Sequence, residues 1–162
     1  MGRLFQVGDK IVYPLHGAGV IDAVEEKEIL GKKQRYYIIH MSLGNVQIMI
    51  PADRIDDMGL RHIVDPDTME NVFLLFNDDP SASSGSWNQR FRMNMDKMKT
   101  GDIFKTTEVI RDLAQINKEK SLGTGEKKLL DNAKQILISE LVLVKEIEEE
   151  QAIQLLDEAA HC

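Results

Sequence analysis

The sequence predicts an α+β fold, with a small open β barrel over residues 1–62 followed by an all-helical region over residues 63–162. Three observations predict it. Runs of β-branched and aromatic residues fill roughly the first 60 positions, broken by turn residues about every 8–12 positions. From Pro66 onward, apolar residues recur at helical spacing instead. The 162 residues, 43% of them hydrophobic, are enough for one domain or two small ones with a real core.

The strands come first. Phe5 to Asp9 reads as a strand end and a turn, and Lys10-Ile11-Val12-Tyr13 as a strand that Pro14 stops. His16-Gly17-Ala18-Gly19 reads as a loop whose glycines are free to take positive φ. It is not a dinucleotide-binding turn, because strand-like residues follow it and the third glycine is missing. Val20 to Ile29 reads as a longer strand, with Ile21, Ala23 and Ile29 expected to face inward. Gly31-Lys32-Lys33 is the expected turn into a strand from Arg35 to Ser42, and Leu43-Gly44-Asn45 the next turn. Val46, Ile48 and Ile50 then alternate with Gln47 and Met49, the period of a half-buried strand, and Pro51 ends it.

The helices follow. Asp65-Pro66-Asp67 suits a helix start, with acids near the positive end of the dipole, and Met69, Val72, Phe73 and Phe76 form its stripe. Ser81 to Gly85 is expected to be a loop, and Ser86 to cap a helix from Trp87 to Met98. Asp102 to Lys118 is amphipathic, with Val109, Ile110, Leu113 and Ile116 on one face. The longest helix is expected from Glu126 to about Glu149, with Leu129, Leu130, Ala133, Ile136, Leu137 and Leu141 in its stripe. A last acidic helix takes in Ala152 to Ala160.

Composition bounds the function. No apolar run approaches the roughly 20 residues of a membrane helix, and neither a signal region nor a myristoylation pattern opens the chain. The single cysteine, Cys162, has no partner for an internal disulfide, which fits a reducing, cytoplasmic setting. The four histidines have no metal-ligand spacing and no nucleophile motif is present, so neither a cofactor nor catalysis is expected. The best enzymatic candidate is His16 in the glycine loop. The net charge of −7 hides a strong asymmetry, since 12 of the 20 basic residues lie within 80–145, between two acidic stretches. Such a segment can form a binding face within an acidic protein.

Ser81 to Arg92 holds the only tryptophan, Trp87, just before Arg90 and Arg92. By residue type alone a tryptophan is a core anchor, which would suit a protein–protein adaptor with Trp87 buried. The other reading is a ring presented at the surface beside cations.

Several motifs decide between them. Val7-Gly8-Asp9-Lys10-Ile11-Val12-Tyr13-Pro14-Leu15-His16-Gly17-Ala18-Gly19-Val20-Ile21 resembles the opening of the CarD/CdnL family of bacterial transcription regulators. The family's second half is resembled by Trp87-Asn88-Gln89-Arg90-Phe91, Val109-Ile110-Arg111-Asp112-Leu113, Leu122-Gly123-Thr124-Gly125-Glu126-Lys127 and Ala133-Lys134-Gln135-Ile136-Leu137. The order and spacing of these pieces make the match specific across nearly the whole chain. The resemblance implies a Tudor-like β domain that binds the RNA polymerase β subunit, and a helical domain that touches promoter DNA at the upstream edge of the melted bubble. The protein would stabilise the open complex, largely without reading sequence, and act as a monomer.

The resemblance also implies roles for residues. Trp87 matches the family's tryptophan, a wedge against an unstacked base step. Arg90, Arg92 and Lys127 match basic positions that touch DNA, and Lys128, Lys134 and Lys105 are additional candidates for phosphate contact. Gly123 stands where the family often has a serine cap. On the polymerase side the candidates are Lys27, Ile29 and Met49. Lys27 matches an often-basic position, and Met49 stands where some members have arginine.

Overall fold

The computed structural model describes residues 5–81 and 86–161. The expected loop at 82–85, the chain's first four residues and Cys162 lie outside the described residues.

Five antiparallel strands form one sheet: β1 (Lys10–Tyr13), β2 (Gly17–Ile29), β3 (Lys32–Met41), β4 (Gln47–Pro51) and β5 (Arg61–His62), in the order β4-β3-β2-β1-β5. The sheet is an open meander whose fifth strand returns to lie beside the first. A short 3₁₀ helix at Ala52–Asp57 closes one end, an element with no periodic signal in the sequence. Phe5, Ile11, Ile21, Tyr37, Ile39, Ile50 and Ile55 form the sheet's core.

Three details depart from the expected pattern. Gly17 to Gly19 are not a loop but the start of β2, and the turn is Pro14-Leu15-His16. Gly19 is needed for closeness rather than for φ, because a Cβ there would lie 2.7 Å from the His40 carbonyl oxygen. The β2–β3 turn is Leu30-Gly31, with φ of 53° and 76°, a tight two-residue hairpin that already ends before Lys32. Finally, Ala23 and Ile29 do not face the core. The β2–β3 register shifts between Ile21 and Ala23, a bulge that adds one residue to β2. Side chains alternate along a strand, so the extra residue moves the inward position from 23 to 24. Val24 therefore packs on the core, and Ile29 is 47% exposed.

Five helices follow: α1 (Pro66–Leu74), α2 (Trp87–Lys99), α3 (Ile103–Glu119), α4 (Thr124–Lys145) and α5 (Glu149–Ala160). Their starts follow local chemistry. Asp65 caps α1 by accepting the Thr68 N–H at 2.7 Å. Ser86 and Gln89 form a reciprocal capping box on α2, and Asp102 caps α3. The long helix ends at Lys145, four residues earlier than expected, where Glu146 turns left-handed. The reason lies in Glu148-Glu149-Glu150. Acids stabilise a helix start and oppose a helix end, so this run opens α5, with Glu148 and Gln151 as its capping box. The reversal lets Ala152 and Leu156 join Met69, Val72, Ile110, Leu113, Leu137 and Leu141 in the helical core.

The fold is thus the expected one, a Tudor-like β module followed by a helical one. The two pack directly. Val12 and its strand partner Ala18 lie on the sheet face opposite Ile11, both are buried, and the Ala18 N–H donates to Ser139 Oγ on α4 at 2.8 Å.

Candidate functional site

The first turn of α2 places Trp87. Its start is held by the capping box at Ser86, which fixes the direction in which position 87 leaves the helix. Trp87 is 50% exposed, so it is not a core anchor, and the burial that the adaptor reading assumed is not found. It stacks on Phe91 one turn later, with ring centroids 5.9 Å apart and planes 21° from parallel. Phe91 in turn packs on the helical core. Trp87 is therefore exposed yet braced, and its other edge borders a cleft.

That cleft lies between α2 and the α3–α4 turn, lined by Trp87, Arg90, Lys120, Leu122, Gly123 and Glu126. Gly123 is the N-cap of α4 and makes no side-chain cap, so the amide groups that open α4 are left to other acceptors. Lys127 and Lys128 are exposed near the start of α4 but do not line the cleft. A positive helix end, Lys120 and an aromatic ring border this cleft, an arrangement suited to phosphate and to an unstacked base.

Arg90 has a different setting from the lysines. Its Nε and Nη2 donate to the two carboxylate oxygens of Glu126 at 2.7 and 2.6 Å. Glu126 is 1% exposed, so its charge depends on this partner. The hydrogen bond to Glu126 raises the Arg90 pKa above its ordinary value, against the opposing effect of burial. Arg90 thus ties the base of Trp87's helix to the first turn of α4. Arg92 is exposed and points elsewhere, beside Gln89, Met93 and Asp96.

Two of the candidate lysines stand apart. Lys105 lies at the start of α3, whereas the cleft takes Ile116 near that helix's end, roughly 17 Å away at 1.5 Å per residue. It sits 4.0 Å from Glu108, which also pairs with Lys97 at 2.9 Å. Lys134 lies about two turns along α4 from Lys127, with Nζ 3.8 Å from Asp157. Lys120 and Glu126 were not singled out by sequence reasoning. Lys120 ends α3 immediately before the turn, and Glu126 lies in the first turn of α4 beside Lys127. Their positions next to the helix boundaries were the available signal.

On the sheet, Lys27, Ile29 and Met49 lie on one face, spread along it rather than in contact. The register pairs Lys27 with Gln34, Ile29 with Lys32 and Met49 with Ile38, all on the side away from the core. All three are exposed. The bulge after Ile21 makes this possible, because without it Lys27 and Ile29 would share the inward face of Ile21. Met49 sits on β4, an edge strand with one side unpaired. Lys27 is 3.3 Å from Glu25 on the same face.

His16 is exposed and stacks on Tyr13, with ring centroids 4.3 Å apart. Among the described residues no group of histidines, cysteines and carboxylates is placed to hold a metal ion, and no helix is long and apolar enough to cross a membrane.

Comparison with known proteins places both halves. Residues 5–64 match the family model of the CarD-like/TRCF RID domain, and residues 71–157 match that of the CarD C-terminal domain. "Putative transcription factor YdeB" of Bacillus subtilis (strain 168) is 47% identical over 148 residues, spanning 91% of this chain and 97% of that protein. The solution NMR structure of the 72-residue N-terminal domain of Myxococcus xanthus CarD is 26% identical, covers 38% of this chain and 83% of that one, and superposes with a TM-score of 0.32. With a CarD-like module at each end of the chain, in the order found here, and a relative matched along almost its full length, this chain belongs to the CarD/CdnL family of transcription-associated regulators.

Proposed function

We propose that this protein acts in the cytoplasm as a non-catalytic regulator that binds the β subunit of RNA polymerase through its sheet and promoter DNA through its helices. Trp87 wedges at the upstream edge of the bubble and stabilises the open complex. The observation that carries this reading is the state of Trp87. It is half exposed, fixed at a capped helix start, backed by Phe91, and adjacent to the uncapped end of α4. A ring stacked on an unpaired base contributes about 1–3 kcal/mol. Since about 1.4 kcal/mol is a factor of ten, one ring suffices to shift an opening equilibrium.

Lys127, Lys128, Lys120 and Arg92 are the cations with freedom to reach phosphate, and Arg90 holds the wedge's helix in place. None of these reads a base edge, so the contact is largely independent of sequence. The exposed face bearing Lys27, Ile29 and Met49, next to the open edge of β4, is the polymerase-facing surface. Edge-strand addition is a recurring mode of recognition that does not depend on the side chain at 49.

The test is the lifetime of open complexes formed by bacterial RNA polymerase with wild-type protein, with Trp87→Ala and with no protein. Wild type lengthens the lifetime, while Trp87→Ala loses the effect and still binds polymerase. A wild-type protein that neither binds polymerase nor changes the lifetime overturns the reading.

A further inference from the structure

The contact between sheet and helices is unusually polar for a buried interface. Glu140 on α4 is 1% exposed and accepts three hydrogen bonds, two from the sheet and one from the connection that follows it. Arg61 of β5 supplies two, from Nη1 at 2.9 Å and Nη2 at 2.7 Å. The third is the Val64 N–H at 2.9 Å, from the short connection that joins β5 to α1. Two further donors of Arg61 are also used, Nε on the Gly101 carbonyl at 2.7 Å and Nη1 on that of His62 at 3.0 Å. One guanidinium thus ties together β5, the α2–α3 turn and α4.

The preceding residue of α4 repeats the tie elsewhere on the sheet. Ser139 Oγ accepts the Ala18 N–H, and the Ser42 hydroxyl donates to the Ser139 carbonyl at 2.9 Å. The approach is close enough that a Cβ at Gly17 would lie 2.9 Å from Ser139 Oγ.

A purely apolar contact tolerates sliding, because dispersion and burial have no direction. A hydrogen-bonded network does not, since its bonds weaken steeply off axis. Buried ion pairs add little net stability over apolar residues of the same size, and a buried polar group can instead fix registry, as a buried asparagine does in coiled coils. We infer that Arg61, Ser139 and Glu140 are positioning residues that clamp the helical region to the sheet in a single register, so that Trp87 stands at a set distance from the sheet's outward face. Its consequence at the promoter rests on the function proposed above; the clamp itself does not. A factor anchored on polymerase by its sheet can place a wedge at one base step only if the body between them does not flex.

The test compares full-length wild type, Arg61→Met and the double variant Arg61→Met/Glu140→Met. Nitrogen-15 relaxation gives the rotational correlation time of β1–β4 and of α3–α4 separately. Wild type is expected to show one shared value. Arg61→Met loses stability because Glu140 is left buried without its partner, and the double variant recovers it by packing two apolar side chains. The double variant is expected to show two distinct correlation times, to bind polymerase as wild type does, and to lose its effect on open-complex lifetime. A double variant that keeps one correlation time and the full lifetime effect overturns the inference. If it does not fold, Ser42→Ala/Ser139→Ala, which removes the second tie, is judged by the same two readouts. Two correlation times in wild type overturn the clamp whatever happens at promoters. One correlation time with no effect of wild type on open complexes overturns the proposed function and leaves the clamp standing.

Discussion

Trp87 and Arg90 are three residues apart on α2 and do opposite things for the fold. Trp87 is half exposed and touches mainly Phe91, so Trp87→Ala should shift the melting temperature by no more than an ordinary surface change, within about 0.5–1 kcal/mol. Its emission in the free protein should be red-shifted and open to a soluble quencher; a blue-shifted, protected signal would contradict the exposed ring. Arg90→Met, by contrast, leaves Glu126 buried without its partner and should cost about 3 kcal/mol in denaturant unfolding. If Arg90→Met is as stable as wild type, the brace assigned to it is wrong. Asn94, buried on the same helix, has no hydrogen-bond partner for its Nδ2. Replacing it with leucine, of similar size, removes an unmet donor and should raise stability by about 1 kcal/mol. A fall in the midpoint would show that the amide group is satisfied in solution.

At the scale of elements, helix starts were the most legible part of the sequence. Asp65, Ser86 and Asp102 carry the side-chain oxygen that an opening turn needs, and each caps the helix that follows it. The Asp65 cap has a pH signature. The Thr68 N–H, foremost, holds its carboxyl below the ordinary aspartate value of 3.8. The folded value therefore lies below the unfolded one. The cap's contribution is fully present above the unfolded value and is lost as pH falls through the lower, folded value. The stability difference between wild type and Asp65→Ala should be constant near neutral pH and shrink below about pH 4, as followed by urea unfolding at a series of pH values. A difference that does not change with pH would show that Asp65 caps without its charge. Strand boundaries were less legible. The bulge after Ile21 has no glycine or proline to announce it, and it reversed the facing of Ala23 and Ile29. The end of α4 was misplaced for a related reason: apolar spacing continues past Lys145, and only the acid run after it marks a second start.

At the scale of the whole molecule, charge sets what the proposed function requires of DNA binding. A chain of net charge −7 is repelled by a polyanion, while the cations near Trp87 form only a local exception. Binding to free duplex DNA should accordingly be weak and fall steeply as salt rises, by fluorescence anisotropy, because each phosphate contact releases counterions. Polymerase would supply the affinity by holding the helices near the fork. Tight binding to naked duplex at physiological salt would refute that division of labour.

The sequence by itself determined the α+β class, the order of the first four strands and the five helices, the Ser86 cap of α2, and the tryptophan before the basic segment. These are local properties, set by side-chain period and by hydrogen bonds within a few residues. Only the tertiary structure decided which cations are free and which are bound. Arg90 and Glu126 are 36 residues apart, Arg61 and Glu140 are 79, and nothing in the spacing of either pair announces the other member. The same holds for the shared face of Lys27, Ile29 and Met49, which depends on a single bulge and on the pairing of β4 with β3. Contacts of long sequence separation depend on how the elements pack, so the partner of a buried charge becomes visible only once the chain is folded.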